Sequence, residues 1–104
     1  MAAVNQATDV SIVINTLLDG KVPAGLSHIK YIIYNKTGIV VTKEIGSGAN
    51  YANGKITITL SDTDTADLAG SYTQECIART TDGVDYFPLT ARPFLVNKTK
   101  ARIS

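Results

Sequence analysis

The chain has 104 residues, with ten Lys and Arg against nine Asp and Glu and a net charge of +1, so one small domain is expected. This balance excludes the large basic excess that is typical of nucleic-acid-binding and membrane-surface proteins. No apolar run approaches the roughly 18 residues of a membrane-spanning helix. The single Cys excludes an intrachain disulfide framework. We therefore expect neither a nucleic acid nor a membrane as a partner.

Residue usage indicates the fold class. The sequence holds 11 Ile, 8 Val and 13 Thr but only 2 Glu. Branching at Cβ restricts χ1 in a helix and packs well on a pleated sheet, so this usage favours strands. The chain is predicted to be all-β.

The chain order gives a flexible N-terminal arm (residues 1–8) and then a single β-sandwich domain (residues 9–104) with an extendable C-terminal segment. Predicted strands lie at residues 9–17, 27–34, 39–45, 55–60, 71–80 and 84–92, with short β pieces at 93–96 and 100–103. Residues 46–54 are expected to be a mobile crossover, and residues 61–70 to hold one short helical turn. About seven strands at spacings of roughly 8–15 residues predict an immunoglobulin-like antiparallel β-sandwich.

Alternation assigns the faces of two strands. In residues 55–60, the side chains expected to face the core are Ile56, Ile58 and Leu60. In residues 27–34, one face carries Ile29, Tyr31 and Ile33, and the other carries His28, Lys30, Ile32 and Tyr34.

Few residues could support catalysis. A nucleophilic site would have to pair Cys76 with His28, the only histidine, across two strands. The alternative is an exposed strand histidine and a small buried thiol. Glu44 and Glu75 lie on predicted strands and are expected to face solvent, which does not suit a paired-carboxylate hydrolase. We expect a non-enzymatic protein without catalytic residues.

A metal or cofactor site is not predicted either. Asp62, Asp64 and Asp67 are spaced D-x-D-x-x-D, but a calcium loop would need a Gly at position 67 and a Glu shortly after it. Short polar side chains also cap a helical turn, which is the interpretation we adopt. No glycine pattern opens a helix to hold phosphate.

The two chain ends form the candidate partner interface. Lys98, Lys100 and Arg102 alternate, so an extended C-terminus would project all three from one side. They could guard a solvated sheet edge or dock on an acidic protein surface. In the arm, Val4 offers a small hydrophobic anchor. No aromatic residue is interleaved with the three charges, which argues against a nucleic-acid groove.

One stretch carries a family resemblance. Residues 52–72 read ANGKITITLSDTDTADLAGSY, and an alternating strand and the TDG of residues 81–83 follow. This pattern resembles a domain of tailed-bacteriophage virion proteins, the immunoglobulin-like N-terminal domain of baseplate upper proteins, over roughly residues 9–92. In this domain Asp64 or Thr63 would cap the turn, Leu68 would plug the bottom of the sandwich and Gly70 would allow a left-handed exit.

The resemblance implies a structural role in a virion. Baseplate upper proteins carry further domains, whereas this sequence stops at Ser104. We therefore expect a capsid decoration or cement protein that bridges neighbouring subunits, made in the host cytoplasm and located in the virion. Its expected partners are other phage structural proteins and further copies of itself, as a homo-oligomer or as symmetric lattice copies.

Two alternatives remain open. One is a tail, neck or baseplate accessory protein of the same particle. The other is a small carbohydrate- or receptor-binding module. The aromatic residues that could stack on a sugar in such a module are Tyr31, Tyr34, Tyr51 and Tyr86.

Overall fold

Strands account for most of the chain, as its β-branched composition predicts. The structure is a computed structural model that describes residues 2–5, 9–18, 20–66 and 68–97. Its elements are β1 (Ala2–Asn5), β2 (Val10–Asn15), β3 (Leu26–Asn35), β4 (Gly38–Ile45), β5 (Gly48–Ala52), β6 (Lys55–Leu60), α1 (Asp62–Thr65), β7 (Gly70–Thr80) and β8 (Asp85–Asn97). The predicted all-β chain with one short helical turn is confirmed.

The strands follow one hydrogen-bonded order, β1-β8-β7-β3-β4-β5-β6-β2. Neighbours are antiparallel except for β1 with β8 and β4 with β5. The β4–β5 pairing joins only Glu44 to Gly48 and Ile45 to Ala49. The sheet folds over at this short pairing. The fold-over is seen from the contacts of β2 with β8 and of β3 with β5, since neither pair is hydrogen-bonded. The result is a sandwich with a large layer (β1-β8-β7-β3-β4) and a small layer (β5-β6-β2).

The core lies between these two layers. Its buried apolar side chains are Ile14, Leu26, Ile29, Tyr31, Ile33, Val41, Ala49, Ile56, Ile58, Leu60, Leu68, Cys76, Ala78, Phe94 and Val96. The inward face predicted for residues 55–60 is therefore confirmed. The predicted division of residues 27–34 into two faces also holds, and the face with Ile29, Tyr31 and Ile33 is the one that is buried.

Two predicted boundaries change. The expected crossover at residues 46–54 contains β5, which pairs with β6. Gly46 and Gly48 have φ values of 79° and 92°, which glycine adopts most readily. They form a tight link between the layers instead of a long loop. The predicted strands 84–92 and 93–96 are one strand, and the piece at 100–103 lies outside the described residues.

The predicted arm is also partly a strand. Residues 2–5 form β1, which runs parallel to β8 with Val4 opposite Val96. We expected residues 1–8 to be a flexible arm, and they lack the apolar pattern of a strand that packs on its own domain. A backbone ladder needs no such pattern, so β1 can form without it. Residues 6–8 lie outside the described residues.

Helix α1 shows a capping box. The N-cap is Ser61, whose Oγ accepts a hydrogen bond from the Asp64 backbone at 3.3 Å, while Asp64 Oδ2 accepts from the Ser61 backbone at 2.7 Å. The expectation that Asp64 or Thr63 caps the turn therefore holds in part: the N-cap is Ser61, but Asp64 supplies the other half of the capping box. The expectations for the exit hold, because Leu68 is buried and Gly70 has a φ of 103°.

Candidate protein interaction surface

The predicted interface at the chain ends is only partly described. The backbone of Val4 lies in β1, beside Val96 of β8. Because the two strands are parallel, Asn5 lies beside Asn97 and both strands point to the same end of the sandwich. Lys98, Lys100 and Arg102, which follow Asn97 in sequence, lie outside the described residues. Their role in binding stays a prediction.

Strand β1 ends the strand order of the sheet. Among the strands that the structure describes, none pairs with its outer edge. An edge strand with free backbone groups can accept a further strand from a partner. The β1 edge therefore suits protein contact.

The catalytic candidates are not brought together. His28 is exposed on the outer face of the large layer, where its Nδ1 lies 2.9 Å from Ser27 Oγ. Cys76 is buried on the inner face of the same layer, and burial raises the pKa of its thiol to about 12. The two side chains thus lie on opposite faces, and Cys76 is a protonated core thiol at neutral pH.

Most of the tyrosines proposed for sugar stacking serve the fold instead. Tyr31 is fully buried, and its hydroxyl donates to Gln74 Oε1 at 2.7 Å. Half-buried Tyr51 donates to a backbone carbonyl before β3. Half-buried Tyr86 donates to the backbone carbonyl of Thr16, just after β2, at 2.8 Å. With Tyr31 enclosed, the four rings cannot form one sugar platform.

The outer face of the large layer carries an apolar surface that the sequence analysis did not single out. We call it the outer patch, and its members are Ile32, Ile39, Ile77 and Phe87. Ile39 is 57% exposed and Phe87 is 51% exposed. The four side chains line an open groove of about 170 Å³ together with Lys30 and Glu75. Contiguous exposed apolar side chains with a polar rim are typical of protein contact sites.

A β-bulge in β8 exposes one member of the outer patch. Tyr86 and Leu89 both pack against the core. The two residues between them, Phe87 and Pro88, face the single residue Ile77 of β7, because the β7–β8 register shifts here. A bulge of this kind re-aims a side chain. It turns Phe87 outward beside Ile77.

The sequence held one signal for this surface. Ile32 was assigned to the same strand face as His28 and Lys30, so that face was never fully polar. Phe87 could not be assigned in the same way, because simple alternation has no place for a bulge.

The charges around the outer patch fall into two kinds. Arg79 donates to both carboxylate oxygens of Asp85, at 2.6 and 3.1 Å. This hydrogen bonding holds the pKa of Asp85 below its usual value. Lys30 lies opposite exposed Glu44 of β4, but neither Lys30 nor Glu75 makes an ion pair with any described residue. They are two unpaired opposite charges beside exposed apolar side chains.

Comparison with known proteins supports the fold alone. No protein-family model matches the chain, and no curated protein is significantly similar to it. A solved structure of murine CRIg is similar, with a TM-score of 0.50 and 13% sequence identity over 95% of this chain and 92% of that chain. The chain is therefore an immunoglobulin-like β-sandwich, as predicted. No helix in the described part of the chain is long and apolar enough to cross a membrane.

Proposed function

We propose that the protein is a non-enzymatic structural component of a tailed-phage virion, a capsid decoration or cement protein that bridges neighbouring subunits. The proposed virion context rests on the resemblance of residues 52–72 to the baseplate upper domain. Several of these residues have structural roles: Ile58 is in the core, Ser61 caps α1, and Leu68 is buried with the core cluster. These roles are those of a scaffold and not of a chemical site.

The observation that carries the proposal is the presence of two separate contact surfaces on one small domain. The first is the open edge of β1, next to the end of β8 that the predicted basic segment follows in sequence. The second is the outer patch, which lies on the face of β3, β4, β7 and the start of β8. A protein that bridges subunits needs two such surfaces, whereas a protein that caps a single partner needs one.

The proposal can be tested by peptide mass spectrometry of density-purified particles. A decoration protein should be present at on the order of hundreds of copies, because a shell repeats its subunits by symmetry. A copy number of about a dozen or fewer would favour the tail, neck or baseplate alternative. Absence from purified particles would contradict the proposal in every version.

A binding experiment tests the carbohydrate-binding alternative separately from the location of the protein. A glycan array probed with the purified domain should give no signal above that of the Tyr34→Ala variant, because Tyr34 belongs to the residues proposed for sugar stacking. A sugar signal that disappears in this variant would support the carbohydrate-binding alternative.

A further inference from the structure

We propose that two copies of this domain pair face to face through the outer patch, around a two-fold axis that follows a diagonal of three isoleucines. The proposal concerns the domain in solution and does not depend on its location in a virion. It identifies a second copy of the chain as the partner of the outer patch.

The diagonal follows from the strand register. Ile39 of β4 lies opposite Tyr34 of β3. Ile32 lies two residues before Tyr34, on the same face. Ile77 of β7 lies opposite Lys30, which is two residues before Ile32. Each step from Ile39 to Ile32 to Ile77 thus moves by one strand and by two residues, so the three side chains form one line across the layer.

The unpaired charges occupy the other diagonal. Lys30 lies opposite Ile77, and Ile32 lies opposite Glu75. These four residues are the corners of a rectangle on the outer face, with Ile32 and Ile77 on one diagonal and Lys30 and Glu75 on the other. The two charges therefore lie on either side of the isoleucine line.

This arrangement is self-complementary. When two identical faces pack, the two-fold axis must lie in the plane of the interface. A residue on one side of the axis then meets the partner's residue from the mirror-image position on the other side. An axis along the isoleucine line places Ile32 and Ile77 each against its own counterpart. It also brings Lys30 to the partner's Glu75, and Glu75 to the partner's Lys30. Lys30 and Glu75, neither of which has an ion pair among the described residues, then each gain one.

A second copy fits better than an unrelated protein for this reason. An unrelated partner would have to supply both a cation and an anion at the matching corners, whereas a second copy supplies them by symmetry. Pairing would also remove the half-exposed Ile39 and Phe87 side chains from water, which is favourable in proportion to the apolar area that becomes buried.

The test uses sedimentation equilibrium of the full chain at concentrations up to about 0.1 mM, where a micromolar dimer is well populated. The wild-type protein should show a monomer–dimer equilibrium. Lys30→Glu alone, or Glu75→Lys alone, should weaken the dimer by about tenfold or more, because two attractive pairs become two repulsive pairs.

The decisive experiment mixes these two variants. A chain with carboxylates at both corners should pair with a chain that has amines at both corners, so an equimolar mixture should regain the mass of a dimer at wild-type concentrations. The control is Lys55→Glu, which reverses an exposed charge on β6 in the small layer and should leave the dimer unchanged. Thermal unfolding of each dilute variant verifies that it is folded.

Three results would overturn the proposal. They are a wild-type chain that stays monomeric over the whole range, a dimer that tolerates either charge reversal, and a mixture that fails to pair. None of these results depends on whether the protein is found in particles. The dimer and the virion role can therefore fail separately.

Discussion

Strands β3 and β7 carry two very different faces. On the inner face, Tyr31 and Cys76 lie opposite each other and are fully buried. On the outer face, one register step away, Lys30 lies opposite half-buried Ile77. The same pair of strands thus supplies both the centre of the core and the centre of the outer patch.

The difference lies in the location of the partner. The inner face is covered by the small layer of the same chain, and the described structure contains no buried side-chain nitrogen or oxygen without a hydrogen bond. The outer face has no covering layer among the described residues, and its Lys30 and Glu75 lack ion pairs. We infer that the inner face determines stability and the outer face determines association. Each prediction below changes one face and uses the other as its control.

The largest effect is expected from Ile33→Ala. Ile33 is fully buried, so truncation should lower the free energy of unfolding by about 2–5 kcal/mol through lost burial and a cavity. The matched control is its neighbour Ile32, which is half-buried on the outer face. Ile32→Ala should cost less than about 1 kcal/mol but should weaken the dimer. Urea denaturation of dilute samples measures both costs, and equal costs would contradict the two-face model.

A smaller loss is expected from Tyr31→Phe. This change removes the hydroxyl that donates to buried Gln74 Oε1 at 2.7 Å, and the unsatisfied oxygen should cost about 1–3 kcal/mol. Tyr34 lies three residues further along β3, on the opposite face. Tyr34→Phe should change the free energy of unfolding by less than about 0.5 kcal/mol. A loss in Tyr34→Phe as large as that in Tyr31→Phe would show that the buried hydrogen bond is not the cause.

The inner face could be predicted from the sequence because it depends on local alternation. Ile56, Ile58 and Leu60 follow a simple period of two, and all three are buried. The outer patch depends on features that alternation does not contain. Phe87 faces outward only because β8 bulges opposite Ile77, and bulges arise from long-range pairing.

The chain ends show the same limit. β1 consists of Ala2–Asn5 and pairs with the last residues of β8, more than 90 positions further along the chain. A short backbone ladder between distant segments leaves no periodic trace in either one. The sequence therefore predicts an arm, whereas the structure shows a strand for residues 2–5.

A pH effect should come from the cap of α1, at the end of the small layer. Partial burial acts to raise the pKa of Asp64, but hydrogen bonds from Lys43 and from the Ser61 backbone outweigh it and hold the pKa below its usual value of 3.8. The folded state therefore binds fewer protons than the unfolded state. The stabilisation is present above about pH 4 and is lost as the pH falls through the folded-state pKa.

The variant Asp64→Asn should remove this acid sensitivity and cost about 1 kcal/mol at neutral pH, as other cap losses do. Urea denaturation at about pH 6 and at about pH 3 measures the difference. The control is Asp85→Asn on the outer face, where both side chains of the Arg79 pair are 48% exposed and the pair should matter less. An Asp85→Asn variant that flattens the pH dependence as strongly would contradict the assignment to Asp64.

The smallest effect on stability, and a large effect on binding, is expected from neutralising the predicted basic segment. Lys98→Gln, Lys100→Gln and Arg102→Gln together should change the free energy of unfolding by less than about 0.5 kcal/mol, as most surface substitutions do. If the segment docks on an acidic surface of the particle, the triple variant should no longer co-sediment with particles stripped of their own copies. Wild-type binding should also weaken with salt, since the screening length falls from about 8 Å at physiological ionic strength to about 3 Å at 1 M.

The matched control neutralises three exposed lysines elsewhere, Lys21, Lys36 and Lys55, and so removes the same charge from the domain. It should co-sediment like the wild-type protein, because a local contact depends on where the charges lie and not on the net charge alone. Deleting residues 1–8 is a less selective test, since it also removes β1 and exposes the backbone edge of β8 at Val96. Particle binding that survives the triple variant and high salt would contradict an electrostatic contact through the basic segment. The contact would then lie at the β1 edge or on the outer patch, and these would be the described surfaces to mutate next.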